Sequence, residues 1–193
     1  MTKPVIDHRR ATAERNAAAI LDAAERLLPG REPLSMVAIA AEAGVSRPTL
    51  YAHFKTINEV VEAAAERAVN ASVAAIEGAQ PADGPADEAL ERMLTASWAR
   101  LAHFDALARG AAEYLSPRIM ARTHAPVMAL MQSLVERGRR DGVFRTDLPA
   151  EWLVTSAYAL IHAADDFARS RGLKRGDALA MLVTTVRDLF EAH

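Results

Sequence analysis

The chain has 193 residues, contains no cysteine and carries a formal net charge of −2 at pH 7. This length fits one compact domain or two small ones, and the lack of cysteine excludes disulfides, thiolate-based zinc and iron–sulfur sites, and cysteine nucleophiles. The longest apolar stretches, such as residues 36–41, are six residues long, against roughly 20 for a membrane span. The first ten residues contain no apolar signal core, so we expect a cytoplasmic protein without membrane contact.

The charges are unevenly distributed along the chain. Residues 1–58 hold eight Lys and Arg against six Asp and Glu, whereas the remaining residues hold 15 against 19. A mildly basic N-terminal part followed by an acidic part gives a weak indication of a nucleic-acid contact at the N-terminal end.

Composition and periodicity favour an all-α fold. Alanine, the best helix former, occupies 42 positions. Apolar residues recur three or four positions apart in nearly every long segment, without the strict alternation of a β-strand. We predict about nine helices. They cover about residues 11–28, 36–43, 57–80, 105–115, 117–140, 149–170 and 176–191, with one more after Ser46 and one around Leu90–Leu101.

Several residues mark the ends of the N-terminal helices. Pro29-Gly30 is expected to end the first helix and Gly44 the second. Ser35 and Ser46 stand where the N-caps of the second and third helices are expected. The segment Thr56–Glu59 has the spacing of a capping box, which predicts the start of a long fourth helix.

The stretch from Ser35 to Lys55, SMVAIAAEAGVSRPTLYAHFK, predicts two short helices separated by a tight turn. Ala40 is small enough to let the two helices cross closely, and Leu50 would anchor the second of them from beneath. A plain helical hairpin would share this spacing. The second helix, however, has a polar outer face and an exposed N-terminus, and such a helix can lie in a major groove. The residues on this face are Arg47, Pro48, Tyr51, Ala52 and His53.

Residues 10–62 resemble the TetR-like family of bacterial transcriptional regulators. Beyond them the resemblance persists in the number and length of the helices and in the turn at residues 142–148. It implies a helix-turn-helix DNA-binding domain at residues 1–57 and a helical effector-binding and dimerisation domain at residues 58–193. The residues that carry the resemblance are Ile39-Ala40, Gly44-Val45-Ser46, Thr49-Leu50-Tyr51, His53-Phe54 and Glu59-Val60.

The function that the resemblance implies is sequence-specific transcriptional regulation. The expected protein is a homodimeric repressor that needs no cofactor and is released from a palindromic DNA operator by a small, mostly apolar effector. The alternative is a helical adaptor or ligand-binding protein that does not bind DNA. That alternative gives no reason for Arg47, Tyr51, His53 and Lys55 to share one exposed end.

Roles for individual residues follow from the resemblance by position. Arg47 and Pro48 match positions of the family's recognition helix that face bases, where Arg can fork onto guanine and Pro can touch a thymine methyl group. Thr49, Tyr51 and His53 match positions that commonly contact phosphates.

The edge of this surface contains one departure from the family. Ser35 and the free N–H groups of the second helix suit a further phosphate, and the apolar Met36 follows at the edge of the groove. Where many members have a Lys, this chain has Ile57. Lys55, together with the cap at Thr56, is the candidate to replace that contact.

The middle helices are expected to surround a ligand cavity. Bulky and adaptable side chains cluster there, and methionine-rich walls tolerate varied apolar ligands. Ordinary core packing is the alternative explanation for each of these residues. The candidate lining residues are Trp98, Phe104, Tyr114, Met120, His124, Met128 and Met131.

The last two helices carry apolar stripes that suit a four-helix bundle with a second subunit. The alternative is that these stripes close the core of the monomer. The resemblance favours the dimer. The candidate interface residues are Leu153, Leu160, Leu182, Val186 and Leu189.

Enzyme motifs are missing from the sequence. It has no Gly-rich phosphate loop, no Gly-x-Ser-x-Gly and no His-Glu-x-x-His. A metal-dependent enzyme is the least favoured alternative, because His162, Asp165 and Asp166 share a helical face that resembles a metal site, but a solvated polar face explains this pattern better. We therefore expect neither catalysis nor a bound metal.

Overall fold

The computed structural model describes residues 4–30 and 32–192, with all side chains in these ranges except those of residues 4–7 and 102–106. The described residues form eight α-helices and no β-strand, with an isolated antiparallel bridge between Phe144 and Glu191. None of these helices is long and apolar enough to cross a membrane. The helices are α1 (Pro4–Leu27), α2 (Met36–Glu42), α3 (Arg47–His53), α4 (Ile57–Gly78), α5 (Ala86–Ala111), α6 (Pro117–Arg140), α7 (Ala150–Arg171) and α8 (Arg175–Phe190).

The all-α prediction is confirmed, and two helix boundaries differ from those expected. The segments expected around Leu90–Leu101 and 105–115 form the single helix α5, since no glycine or proline separates them. Helix α1 begins at Pro4 rather than near residue 11. After Val5 and Ile6 comes a polar run, residues 7–10, that shows no apolar period, while proline is well tolerated in a first helical turn.

Residues 1–68 and 106–123 form one compact unit, the N-terminal unit. Its core joins α1, α2, α3 and the start of α4, where Ile20, Ile39, Leu50 and Val60 have no exposed surface. Arg67 of α4 pairs with two carboxylates of α1, Asp22 at 2.7 Å and Glu25 at 2.9 Å. The boundary predicted at residues 57 and 58 separates sequence motifs and stays a prediction.

The end of α5 holds the loop between α1 and α2 within this unit. A Cβ atom at Gly110 would lie 2.2 Å from the carbonyl oxygen of Leu28, so only glycine permits this approach. The backbone N–H of Leu34 donates to the hydroxyl of Tyr114 at 2.7 Å. These two contacts fix the segment that leads into α2.

Residues 69–105 and 124–193 form the second compact unit, the C-terminal unit. Its apolar core is built from α5, α6, α7 and α8 and includes an edge-to-face pair of Phe144 and Phe190, whose ring centroids are 5.4 Å apart. Phe144 packs on Gly138, where a Cβ atom would lie 2.1 Å from the ring. The residues after α6 are thereby fastened to the end of α8.

A polar network lies beside this core. Asp165 of α7 is buried and pairs with Arg169 at 3.1 Å and with Arg175 at 3.3 Å. Arg175 also donates to the carbonyl oxygen of Trp98 at 2.6 Å and lies over the indole ring, 5.0 Å from its centroid. The indole N–H of Trp98 donates in return to the carbonyl oxygen of Arg175. The start of α8 is thus tied to α5 and α7.

Candidate nucleic-acid interface

Helix α2 begins at the predicted serine cap. Ser35 has an extended backbone, and its Oγ accepts a hydrogen bond from the N–H of Ala38 at 3.1 Å. Such a cap satisfies one of the four N–H groups that have no partner inside a helix at its N-terminus. Ile39 and Ala40 form the buried face of the helix, so the helix is fixed by both packing and capping.

The turn between α2 and α3 is built around Gly44. Its φ is +65°, a left-handed conformation that glycine adopts without steric cost. The N–H of Val45 donates to the carbonyl of Ala40 at 3.0 Å, and the N–H of Gly44 donates to that of Ala41 at 3.2 Å. This pair of bonds is the Schellman motif that ends many helices. It sets the direction in which α3 leaves the turn.

We expect Gly44→Ala to lower the free energy of unfolding by about 1 kcal/mol, because alanine is strained in the left-handed region. Nothing lies within 4 Å of a Cβ at this position, so strain of the backbone is the whole effect. Urea denaturation measures the change. Gly78→Ala is the matched control, since Gly78 has open space and no positive φ. Equal stability changes in the two variants would contradict this explanation of the turn.

Helix α3 begins at the second predicted serine cap. The Oγ of Ser46 accepts from the N–H of Thr49 at 3.2 Å and lies 2.8 Å from the Thr49 hydroxyl. Pro48 occupies the first turn, where its missing N–H costs little. Leu50 is fully buried and anchors the helix from beneath.

The outer face of α3 presents the predicted side chains. Arg47, Pro48 and Ala52 are exposed, Tyr51 is 46% exposed, and Thr49 and His53 are partly buried at the edges. No ion pair joins Arg47 to a carboxylate among the residues that the structure describes. The guanidinium at the tip of α3 is therefore available to a ligand outside the chain.

Lys55 and the start of α4 border this face. The Thr56 hydroxyl accepts from the N–H of Glu59 at 3.2 Å, as the capping box predicts. The Glu59 carboxylate reaches back one residue further than expected and accepts from the N–H of Lys55 at 2.7 Å. The Lys55 ammonium donates to the carbonyl oxygen of Tyr51 at 2.6 Å, and Ile57 is half-buried as the first residue of α4. The exposed cation at this edge is thus Lys55.

Met36 lies differently from its predicted place at the groove edge. Its side chain is only 9% exposed because it packs into the core of the N-terminal unit, whereas the neighbouring Val37 is 50% exposed. The Met36 side chain is therefore withdrawn from the predicted groove edge. Periodicity could have signalled this, since Met36 lies three and four residues before the buried Ile39 and Ala40.

Comparison with known proteins connects this arrangement to one family. Residues 20–64 match the model of the bacterial regulatory proteins of the tetR family. The transcriptional repressor LfrR of Mycolicibacterium smegmatis is 29% identical over 191 residues, covering 96% of this chain and 95% of LfrR. The chain is a DNA-binding transcriptional regulator similar to those of the TetR family. Its α2–turn–α3 segment lies within the matched residues and corresponds to the helix-turn-helix of that family.

Solved structures of TetR-like proteins extend the likeness to the whole fold. The crystal structure of LfrR in complex with proflavine has a TM-score of 0.66 and 26% identity, covering 90% of this chain and 94% of LfrR. A tetR-family regulator from Rhodococcus RHA1 has a TM-score of 0.78 at 22% identity, covering 92% of this chain and 98% of that one. Because the Rhodococcus regulator is only 22% identical, its likeness is evidence for the fold alone.

The candidate pocket residues of this TetR-like chain are divided among several places. His124 lines a cavity of about 60 Å³ in the C-terminal unit, whereas Trp98 and Met131 are buried in its core. Met128 borders an open surface groove. Tyr114 belongs to the N-terminal unit, as Met120 does. The side chain of Phe104 lies outside the described residues.

Other residues complete the cavity around His124. Sequence reasoning missed Arg100 and Tyr158 and assigned His162 to a metal-like face instead. Tyr158 and His162 are one helical turn apart on α7, so their shared face could have been identified from spacing. Nothing in the sequence alone indicates that α4, α5, α6 and α7 meet at this point.

The candidate dimer residues lie mostly inside their own chain. Leu153, Leu182 and Val186 are buried in the core of the C-terminal unit, so they are not available to a partner, and Leu160 and Leu189 are partly buried. The exposed apolar side chains of α7 and α8 are different ones. The large ones are Trp152, Phe167 and Met181.

Two residues of the metal-like face, Asp165 and Asp166, form ion pairs within the chain. The two arginines paired with Asp165 occupy its carboxylate, and Asp166 pairs with Arg169 as well. No group of three or more potential metal ligands occurs among the described residues. A buried carboxylate with two guanidinium partners is an unfavourable site for a further cation.

Proposed function

We propose that the chain is a repressor that binds a palindromic operator as a homodimer and is released by a small molecule held in the C-terminal unit. It would act in the cytoplasm, with no cofactor and no catalytic role. The observation that carries this proposal is the exposed, cationic tip of α3 above a buried Leu50. The similarity to LfrR, which is described as a repressor, supports it.

The dimensions and chemistry of α3 suit a major groove. An α-helix with its side chains is about 10–12 Å across, and the major groove is about 12 Å wide. Arg47 would read a guanine through its N7 and O6 atoms, and Pro48 or Ala52 would touch a thymine methyl group. Around them, Thr49, Tyr51, His53, Lys55 and the N-terminus of α2 at Ser35 would contact phosphates.

We expect Arg47→Ala to weaken binding to the operator by about 1–3 kcal/mol and to relax the preference at one base position in each half-site. Lys55→Ala should weaken binding to all duplexes to a similar extent and reduce the salt dependence of the affinity, because a phosphate contact releases counterions. Fluorescence anisotropy with operator and random duplexes at several salt concentrations measures both effects.

The comparison between the two variants decides the roles of the two residues. Equal losses on operator and random DNA for Arg47→Ala would contradict its assignment as a base reader. Arg140→Gln serves as a control for net charge, since this exposed arginine lies at the end of α6, away from the helix-turn-helix in sequence. It should leave the specificity for the operator unchanged.

A homodimer explains the exposed face of α7 and α8. Ala159, Ala163 and Phe167 follow one another at intervals of four residues on α7, and all are exposed. Trp152 begins this face, at 57% exposure, and Met181 of α8 is 48% exposed. Small residues between large ones let two helices approach closely and interlock. A two-fold dimer formed here would present two copies of α3 to half-sites about 34 Å apart or a multiple of it.

Release requires a ligand that prefers the conformation that does not bind DNA. A ligand with equal affinity for both conformations would leave the equilibrium unchanged. The cavity between α4, α5, α6 and α7 is the candidate site, and the complex of LfrR with proflavine supports a ligand site in a related protein. Operator binding that persists while a compound demonstrably occupies the cavity would contradict this part of the proposal.

A further inference from the structure

The cavity of the C-terminal unit has an apolar body. Val69 and Ile76 of α4, Leu101 of α5 and Ile161 of α7 form its walls and are themselves almost fully buried. Val127 of α6 adds a partly buried wall. Walls of this kind favour a ligand that brings an apolar surface of its own.

An aromatic cluster forms one side of the same cavity. The rings of Tyr158 and His162 meet edge to face with centroids 4.6 Å apart, and Tyr158 meets His124 in the same manner at 5.7 Å. Aromatic rings in this arrangement offer further edges and faces to a flat aromatic ligand. A planar ring therefore fits this side better than a branched aliphatic chain.

The polar groups of the lining can all donate hydrogen bonds. They come from Arg100, His124, Tyr158, His162 and two serines, Ser72 and Ser97. Arg100 is exposed and adds a permanent positive charge. No carboxylate belongs to the described lining residues, and the buried Asp165 of α7 is already paired with Arg169 and Arg175.

This set of groups discriminates between ligand charges. A cation in the cavity would lose water without gaining a counter-charge, and it would lie near a guanidinium. An anion would gain a charge-assisted pair with Arg100, and a carboxylate matches the planar fork of that side chain. The chemistry of the lining thus selects against cations.

The cavity volume limits the ligand size. It is about 60 Å³, whereas sites for drug-sized ligands have volumes of roughly 300–1,000 Å³. A ligand with several fused rings would have to displace the walls, whereas a single ring requires much less movement. Resting on the proposed release by a small molecule, we propose that this cavity binds a single-ring aromatic carboxylic acid, with the ring among the apolar walls and the carboxylate at Arg100.

Isothermal titration of the whole protein with matched probes tests this proposal. Benzoate, benzyl alcohol and benzylammonium share one ring and differ in charge, and titration to about 10 mM is needed since small ligands bind weakly. We expect saturable binding of benzoate that is at least about tenfold tighter than that of benzylammonium. Proflavine, a three-ring cation, should bind no more tightly than benzylammonium.

Variants locate the site. Arg100→Gln keeps a polar side chain and removes the charge, and it should weaken benzoate binding about tenfold. Arg140→Gln, the charge control on α6, should change benzoate binding by less than about twofold. Both arginines are exposed, so neither substitution removes core packing, and thermal denaturation of each variant verifies that it remains folded.

Three results would overturn the proposal: no saturable benzoate binding, equal or tighter binding of either cation, or benzoate binding that is unaffected by Arg100→Gln. Operator binding by the wild-type protein without any probe is measured on the same preparation. A wrong ligand class would leave that binding intact, whereas failure of the proposed repressor function would abolish it whichever probe is present.

Discussion

Phe167→Glu should convert the proposed homodimer into a 20.8 kDa monomer and lower operator affinity by at least about a hundredfold. Phe167 is 45% exposed and ends the stripe that continues through Ala163 and Ala159. In a two-fold interface each subunit would bring its new carboxylate into an apolar contact, so the charge would be buried without a partner. A monomer would then bind one half-site and lose the gain from linking two.

Sedimentation equilibrium measures the mass, and anisotropy with operator DNA measures the affinity. Thr95→Glu adds the same charge at an exposed position of α5 and serves as the matched control. It should leave the dimer intact. If Phe167→Glu remains at twice the mass of one chain and binds the operator normally, the dimer interface does not include this face of α7.

Asp165→Asn should lower the free energy of unfolding by about 3 kcal/mol. The side chain is 3% exposed and pairs with Arg169 and Arg175, the second of which also holds Trp98. Asparagine preserves the shape but leaves two guanidinium groups beside an uncharged amide. Both arginines also reach solvent, whereas the Asp165 carboxylate does not. Most of the lost stability therefore comes from the buried carboxylate end of the network.

The adjacent aspartate is a sharp control for this prediction. Asp166 pairs with the same Arg169 but its side chain is 69% exposed, so Asp166→Asn should change stability by less than about 1 kcal/mol. Urea denaturation of both variants gives the two values. Similar small losses in both would mean that Asp165 contributes as a surface ion pair does.

Local signals predicted the N-terminal unit in detail. The caps at Ser35, Ser46 and Thr56 and the glycine turn at Gly44 all occur as expected. These features depend on hydrogen bonds within three to five residues, so the sequence specifies them almost completely. The start of α1 at Pro4 is not predicted because the polar run at residues 7–10 interrupts any apolar period.

Contacts between distant helices were predicted less well. Periodicity identified the apolar stripes of α7 and α8 but could not distinguish a residue buried in its own chain, such as Leu153, from one offered to a partner, such as Phe167. Both satisfy the same helical spacing. The difference arises from which side of each helix the rest of the chain covers.

The residues that line the cavity were likewise hard to predict from the sequence. The size and position of His124 predict a lining residue, whereas Arg100 and Tyr158 are not predicted from the sequence, because their convergence depends on the packing of four helices. The place of Tyr114 in the chain predicts a pocket residue, yet its hydroxyl accepts a hydrogen bond from the N–H of Leu34 in the N-terminal unit. Residues that are close in sequence need not lie in the same unit, because α4, α5 and α6 each contribute residues to both units.

The central claim is that two copies of α3 read a symmetric DNA sequence through Arg47. Repeated selection of bound fragments from a pool of random duplex DNA tests it most directly. We predict an inverted repeat whose half-sites have centres about one helical turn, or a whole number of turns, apart. Enrichment of a sequence without two-fold symmetry, or no enrichment over the starting pool, would contradict it.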